Sequence, residues 1–120
     1  MKKVLLIEDS TSEAAELEGF LETEGFSVSR AISGEEAEMK LKAQKPHLIL
    51  LDVILPGESG FELCRKLKSL PETSLIPIVL CSTKKTELDI TWGKMGGADA
   101  YLTKPVNRQT LIETVSQIIG

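Results

Sequence analysis

Two cysteines are all the sequence offers, and neither Cys64 nor Cys81 has a second Cys or His spaced to join it. Neither a disulfide framework nor a thiolate metal site is therefore expected; each lies in an apolar segment and reads as a small buried hydrophobe. No apolar run approaches the ~20 residues that a bilayer-spanning helix needs, so no membrane segment is predicted. Met1-Lys2-Lys3 leads into only four aliphatics before Glu8, too short for a signal-peptide core, and cytoplasmic residence is the expectation. An excess of basic charge is also missing. A formal net charge of −4 argues against a nucleic-acid partner, whose phosphate backbone needs a basic face. Linkers, repeats and low-complexity stretches are absent too. What is present is ordinary for one globular domain: 120 residues, 42% hydrophobic and 27% charged, suffice for a core and are too apolar for disorder.

The chain turns on the stretch Leu48-Ile49-Leu50-Leu51-Asp52, followed by Val53-Ile54-Leu55-Pro56-Gly57. A short, wholly apolar run of branched residues reads as a strand buried on both faces, as inside a parallel sheet. Similar runs precede Glu8-Asp9 (Val4 to Ile7), Ser82-Thr83 (Ile76 to Cys81) and Lys104-Pro105 (Ala100 to Thr103). Pro77 cannot donate to a ladder, which places it at its strand's start. Phe26, Val28 and Arg30 alternate with Ser27 and Ser29, the pattern of a half-exposed strand near a sheet edge.

Between the strands run helical stripes. Ala14, Leu17, Phe20 and Leu21 follow a cap at Ser10 or Ser12, with Glu13 matching the helix dipole and Gly25 as the stop. Ala37 and Leu41 mark a helix over 34–44, closed before Pro46. Phe61, Cys64 and Leu67 mark another over 61–70, and Pro71 to Ser74 reads as a polar turn. Residues 86–95 form a weakly patterned helix ended by Gly96-Gly97-Ala98. Leu111, Val115, Ile118 and Ile119 face inward from the last helix, capped by Asn107. Five strands alternating with five helices demand a parallel, doubly wound sheet, because right-handed crossovers return the chain to the same edge.

Every strand's C-terminal end then opens on one rim, where open α/β sheets gather their ligands. That topology collects Glu8, Asp9, Asp52, Ser82 and Lys104. Three carboxylates together repel unless a cation joins them, and oxygen donors select a hard one, with Mg²⁺ the best match. Lys104 and Ser82 add an ammonium and a hydroxyl, a set that suits a phosphoryl group attacked in line by Asp52. A cis bond at Lys104-Pro105 would help aim the lysine over the rim. Each residue has a plainer reading as well. Asp52 can cap a turn, Glu8 and Asp9 can solvate a loop or begin a helix, and Ser82 can cap a helix. Lys104 can pair structurally with Asp9 or Asp52, Tyr101 can be a partly buried ring with its hydroxyl near water, and Trp92 can pack its helix onto the sheet.

Glu8-Asp9, Asp52 with Val53-Ile54-Leu55-Pro56-Gly57 and Gly60, Ser82-Thr83, and Lys104-Pro105 together give a chain that closely resembles the receiver domain of bacterial two-component response regulators, the chemotaxis regulators included, over residues 1–120. The resemblance implies a flavodoxin-like sheet of order 2-1-3-4-5 and a single receiver domain with no output domain. It implies that a histidine kinase phosphorylates Asp52. Mg²⁺ would be held by Asp9, Asp52 and the backbone carbonyl of Ile54, with Glu8 reaching it through water. Ser82 and Lys104 would bind phosphoryl oxygens, and Ser82 and Tyr101 would form the switch. The phosphoryl charge would then alter a face of the fourth helix, fifth strand and fifth helix, carrying Trp92, Tyr101 and Lys104, for a downstream protein partner. Residues Thr91 to Pro105 look like those of single-domain regulators of type IV pilus twitching motility.

Two departures bear on chemistry. Position 8 is Glu where many receivers have Asp, and Ile54 and Lys84 flank the site where polar or different side chains are common. Two other classes compete. An aspartate-nucleophile phosphohydrolase of small phosphomonoesters would want an acid two residues beyond Asp52, where Ile54 stands. A module binding flavin at the rim would want a phosphate-binding glycine loop after the first strand, and none is present.

Overall fold

The computed structural model describes residues 1–120. Its elements run β1 (Lys3–Ile7), α1 (Thr11–Glu22), β2 (Ser27–Ala31), α2 (Gly34–Ala43), β3 (Leu48–Asp52), α3 (Gly60–Ser69), β4 (Ile78–Ser82), α4 (Glu87–Met95), β5 (Ala100–Thr103) and α5 (Arg108–Ile119). The five strands form one sheet in the order β2-β1-β3-β4-β5, every pair parallel. Five parallel strands with five helices in this order are the flavodoxin-like, doubly wound fold that the alternation predicts.

Alternation along each strand divides the core into two layers. Leu5, Ile7, Ile49, Leu51, Ile78 and Leu80 meet Ala37 and Leu41 of α2 and Leu63, Cys64 and Leu67 of α3. Val4, Leu6, Leu48, Leu50, Val79 and Cys81 face the other way, onto Ala14, Leu17 and Leu21 of α1 and Leu111 and Val115 of α5. The central strands β3 and β4 are buried along their whole length, which accounts for their unbroken apolar runs. Strand β2 lies at the edge, and its serines are the half-exposed side of an alternating pattern.

All five helices start on a hydroxyl or amide cap. Ser10, Ser33, Ser59, Thr86 and Asn107 each accept the backbone N–H three residues on, and Thr86 with Asp89 completes a capping box. The helical stripes shift in two places. In α3, which starts at Gly60, Leu63 joins Cys64 and Leu67 in the buried stripe, while Phe61 is only partly covered. In α5, Leu111 and Val115 are buried while Ile118 and Ile119 pack at the margin. The turn after α3 is not uniformly polar surface. Thr73 is buried, its hydroxyl donating to the Leu67 carbonyl at 2.5 Å and holding the end of α3. Strand β4 begins at Ile78; Pro77, just before it, offers its carbonyl to Ile49 N at 2.9 Å while having no N–H to leave unpaired.

Candidate functional site

Register brings the strand ends to one level: Ile7 lies beside Leu51, Asp52 beside Cys81, and Ser82 beside Thr103. The residues at and just after those ends therefore meet. Glu8 continues the ladder one step beyond β1, its N–H donating to Ala31 O at 3.0 Å, and its side chain is 1% exposed. Arg30, at the far end of β2, donates from Nε to Glu8 O and from Nη2 to Asp9 O, both at 2.9 Å. The two arms of one guanidinium clip the acidic turn in place. The alternating pattern of β2 does not by itself mark Arg30 for this role; its place near the C-terminal end of the strand beside β1 is the signal.

Asp52 ends β3 and is nearly buried, its Oδ1 accepting Ile54 N–H at 3.2 Å. Gly60 packs directly over the Asp52-Val53 peptide, and its N–H donates to Val53 O at 2.7 Å. A Cβ there would lie 2.2 Å from Asp52 O, so the close approach requires glycine. The loop between β3 and α3 thus folds back onto the aspartate it follows.

Lys104 comes last along the chain and sits at the middle of the site. The Lys104-Pro105 bond is cis. Its N–H donates to Ser82 O at 2.9 Å. The ammonium lies 2.6 Å from Glu8 Oε1, 3.1 Å from Glu13 Oε1 and 3.3 Å from Asp52 Oδ2. The ion pair therefore runs to Glu8 and Asp52 and not to Asp9, which is exposed. Glu13, which the sequence marks only as a dipole-matching residue of α1, joins the site through Lys104. Its signal was the helical turn that carries it back over Glu8.

These contacts set the charges. Burial raises the Glu8 carboxyl above its ordinary value, against the lowering pull of the Lys104 and Ser10 hydrogen bonds; the Asp52 charge adds to the rise. Burial alone would pull the Lys104 ammonium down, but the hydrogen bond to Glu8, the Asp52 charge and the hydrogen bond to Glu13 outweigh it and hold the group above its usual range. The hydrogen bond to Lys104 lowers Glu13. One ammonium thus faces three carboxylates.

Glu8, Asp9 and Asp52 each present a carboxylate oxygen within 4.8 Å of the others. Three hard oxygen donors on one rim, holding more negative charge than Lys104 balances, suit a divalent cation such as Mg²⁺. Ile54 is two residues beyond Asp52 and is half-exposed.

Ser82 is fully buried and does not cap α4; Thr86 does that. Its Oγ accepts Lys84 N–H at 3.1 Å, and the Lys84 carbonyl accepts the Tyr101 hydroxyl. One residue's backbone thereby joins Ser82 to Tyr101. The Tyr101 ring is partly buried and its hydroxyl donates to Lys84 O in a solvent-exposed bond, while burial raises its pKa. The ring lies against Gly93 of α4, where a Cβ would come within 3.1 Å of it.

Trp92 departs from the packing expected of it. It is 45% exposed, and the Arg65 guanidinium of α3 lies 4.7 Å from the ring centroid. The ring fronts the groove between α3 and α4 and does not anchor α4 to the sheet, because the buried side of that helix is Gly93. The structure thus gathers Glu8, Asp9, Asp52 and Lys104, adds Glu13, links Ser82 to Tyr101, and turns Trp92 toward α3.

Known proteins resemble this chain in sequence and fold. The sequence matches the response regulator receiver domain over residues 4–116. It is 38% identical over 120 residues to Protein PilH of Pseudomonas aeruginosa, covering all of this chain and 99% of that one. Curated transcriptional regulators also match, and the chain spans about half of their length. Among solved structures, chemotaxis protein CheY4 of Vibrio cholerae superposes with a TM-score of 0.91 at 30% identity, over 98% of each chain. The receiver domain of the sensor histidine kinase PA1611 of Pseudomonas aeruginosa, with a magnesium ion coordinated in its active-site cleft, superposes at 0.90 and 25% identity, over 99% of this chain and 98% of that one.

Proposed function

The chain belongs to the response regulator receiver domain family, a family of signalling regulators rather than typical enzymes, and from that premise we propose that Asp52 accepts a phosphoryl group from a histidine kinase and that residues 1–120 act as a single-domain switch. The observation that carries the proposal is the convergence of a nearly buried aspartate with a lysine 3.3 Å away and two further acids on one rim.

In this mechanism an Asp52 carboxylate oxygen attacks the phosphorus of a phosphohistidine. The phosphorus–nitrogen bond breaks, its electron pair goes to the departing imidazole, and an acyl phosphate forms on Asp52. Asp9 and Asp52, with Ile54 O and with Glu8 through water, are the residues that would hold Mg²⁺. Such an ion supplies charge neutralisation to the phosphoryl oxygens. Lys104 offsets the remaining negative charge and positions the incoming oxygens. The Asp52-Ile54 hydrogen bond and the covering Gly60 fix the attacking carboxylate.

Phosphorylation adds about −1.5 to −2 charges. In our reading the Ser82 hydroxyl turns toward them and gives up the Lys84 N–H. The Lys84 backbone moves in consequence, and the Tyr101 hydroxyl bonded to its carbonyl follows. The face of α4, β5 and α5 is then the surface a downstream partner reads, with Tyr101 and Lys104 at its base. Trp92 reaches a partner from the α3 side of α4. The full-length match to PilH supports an output of the single-domain, twitching-motility kind, and a cytoplasmic site of action accords with a kinase partner. No helix is long and apolar enough to cross a membrane.

The phosphohydrolase reading lacks its leaving-group acid, since Ile54 holds that position. The test is the mass of the protein after incubation with acetyl phosphate and Mg²⁺. One phosphoryl group is expected on the wild type and none on Asp52→Asn. An unchanged wild-type mass would overturn the proposal.

A further inference from the structure

Lys104 holds two of the three oxygen donors that a divalent cation would use. Its ammonium lies 2.6 Å from Glu8 and 3.3 Å from Asp52, and both belong to the cluster completed by Asp9. Cation and ammonium therefore compete for the same carboxylates. A Lys104 side chain only 8% exposed cannot simply withdraw into water without losing its surroundings. Its third partner, Glu13, stands outside the cluster, at 3.1 Å, on the first turn of α1.

We infer that Glu13 is a positioning residue: it takes the Lys104 ammonium when a divalent cation occupies Glu8, Asp9 and Asp52, and so raises the affinity of that site for the cation. The inference rests on the reading that this acidic cluster binds Mg²⁺. The geometry supports it in two ways. Glu13 is 49% exposed, so its carboxylate can follow the ammonium outward, whereas Glu8 at 1% and Asp52 at 7% cannot. Arg30, the other nearby cation, is committed to the carbonyls of Glu8 and Asp9 and does not satisfy Glu13. Without Glu13, entry of the cation would leave the ammonium nearly buried with no free carboxylate beside it.

Glu13 thus acts through Lys104, and a double-mutant cycle separates that from a mere nearby charge. Mg²⁺ binding is measured by calorimetry on the wild type, Glu13→Gln, Lys104→Met and the double variant, with Glu16→Gln as a control for charge on α1. Glu13→Gln is expected to weaken Mg²⁺ by about three- to five-fold, the range of a half-exposed ion pair. In the Lys104→Met background the same substitution should change affinity by less than about two-fold, as should Glu16→Gln in the wild type. In ¹⁵N spectra, the Lys104 Nζ resonance should stay protected from exchange in the Mg²⁺-loaded wild type and broaden in loaded Glu13→Gln.

Equal losses in both backgrounds would assign Glu13 a general electrostatic effect and overturn the inference while leaving the cation site standing. No loss in either background would overturn it equally. Absence of Mg²⁺ binding to the wild type would overturn the cation site itself, and this inference with it.

Discussion

Replacing Gly60 by alanine tests whether the α3 terminus holds Asp52 in place. The added Cβ would sit 2.2 Å from the Asp52 carbonyl oxygen, 2.7 Å from Val53 Cα and 2.9 Å from the Asp52 carbonyl carbon. All three are backbone atoms, so no side chain can swing aside. To reach ordinary van der Waals separation the nearest approach must open by roughly 1 Å. Either the first turn of α3 lifts, straining its 2.7 Å hydrogen bond to Val53 O, or the Asp52-Val53 peptide rotates and carries the carboxylate with it. Overpacking of this severity costs about 3 kcal/mol. For a domain of this size that is a fall of about 12 °C in Tm. Gly19, mid-helix in α1 with nothing within 4 Å of its missing Cβ, is the matched control. There alanine should stabilise by about 0.5–1 kcal/mol. Thermal unfolding of both variants, with phosphoryl uptake from acetyl phosphate, gives the readout. Uptake by Gly60→Ala at a temperature where it is folded should fall at least about tenfold, since placement errors near 1 Å cost that much or more. A Gly60→Ala protein with wild-type Tm and uptake would refute the view that this contact positions Asp52.

Alkali should expose the Lys104 ion pairs. The folded ammonium holds its proton above the ordinary 10.5, while the unfolded chain releases it there. The folded state then binds more protons, so the stabilisation is complete below 10.5 and is lost as pH rises through the folded value. Urea midpoints measured upward from pH 9.5 should decline more steeply for the wild type than for Lys104→Met; parallel slopes would contradict the pairing. Burial pushes Cys64 up to about 11 and Cys81 up to about 12, so neither thiol should react with a maleimide at pH 8 until urea unfolds the chain. Rapid native labelling would place them wrongly. Tyr101→Phe removes the bond to Lys84 O and should cost about 1 kcal/mol in urea unfolding. A neutral result would mean the hydroxyl contributes nothing to holding the ring inward.

Periodicity and strand ends made most of this legible. Runs such as Leu48 to Leu51 announce buried strands because both faces of β3 are covered, and parallel crossovers then force Glu8, Asp52 and Lys104 onto one rim. The cap at Asn107 was equally plain, since a helix start leaves N–H groups that nearby side chains can meet, whereas the choice between Ser10 and Ser12 for α1 waited on the fold, which uses Ser10. Contacts that depend on how long side chains reach across the rim were not. Lys104 prefers Glu8 and Glu13 to Asp9 because of where α1 begins, and a sequence does not carry that angle. Trp92 invites a core assignment by its size. Its place against Arg65 follows from Gly93, whose missing side chain lets α4 lie so close to β4 and β5 that the glycine fills the buried position. Thr73 looked like turn surface because its burial depends on a single bond to the end of α3.

Gly93 has one more consequence. It is the only residue of α4 that is buried, while Leu88, Trp92 and Met95 face outward. A helix seated on so little greasy area loses almost no solvent shielding when it slides or lifts. The energetic toll for rearranging this part of the molecule is therefore a matter of a few neighbours, Leu80 and Tyr101 first among them, and the two central layers need not loosen at all.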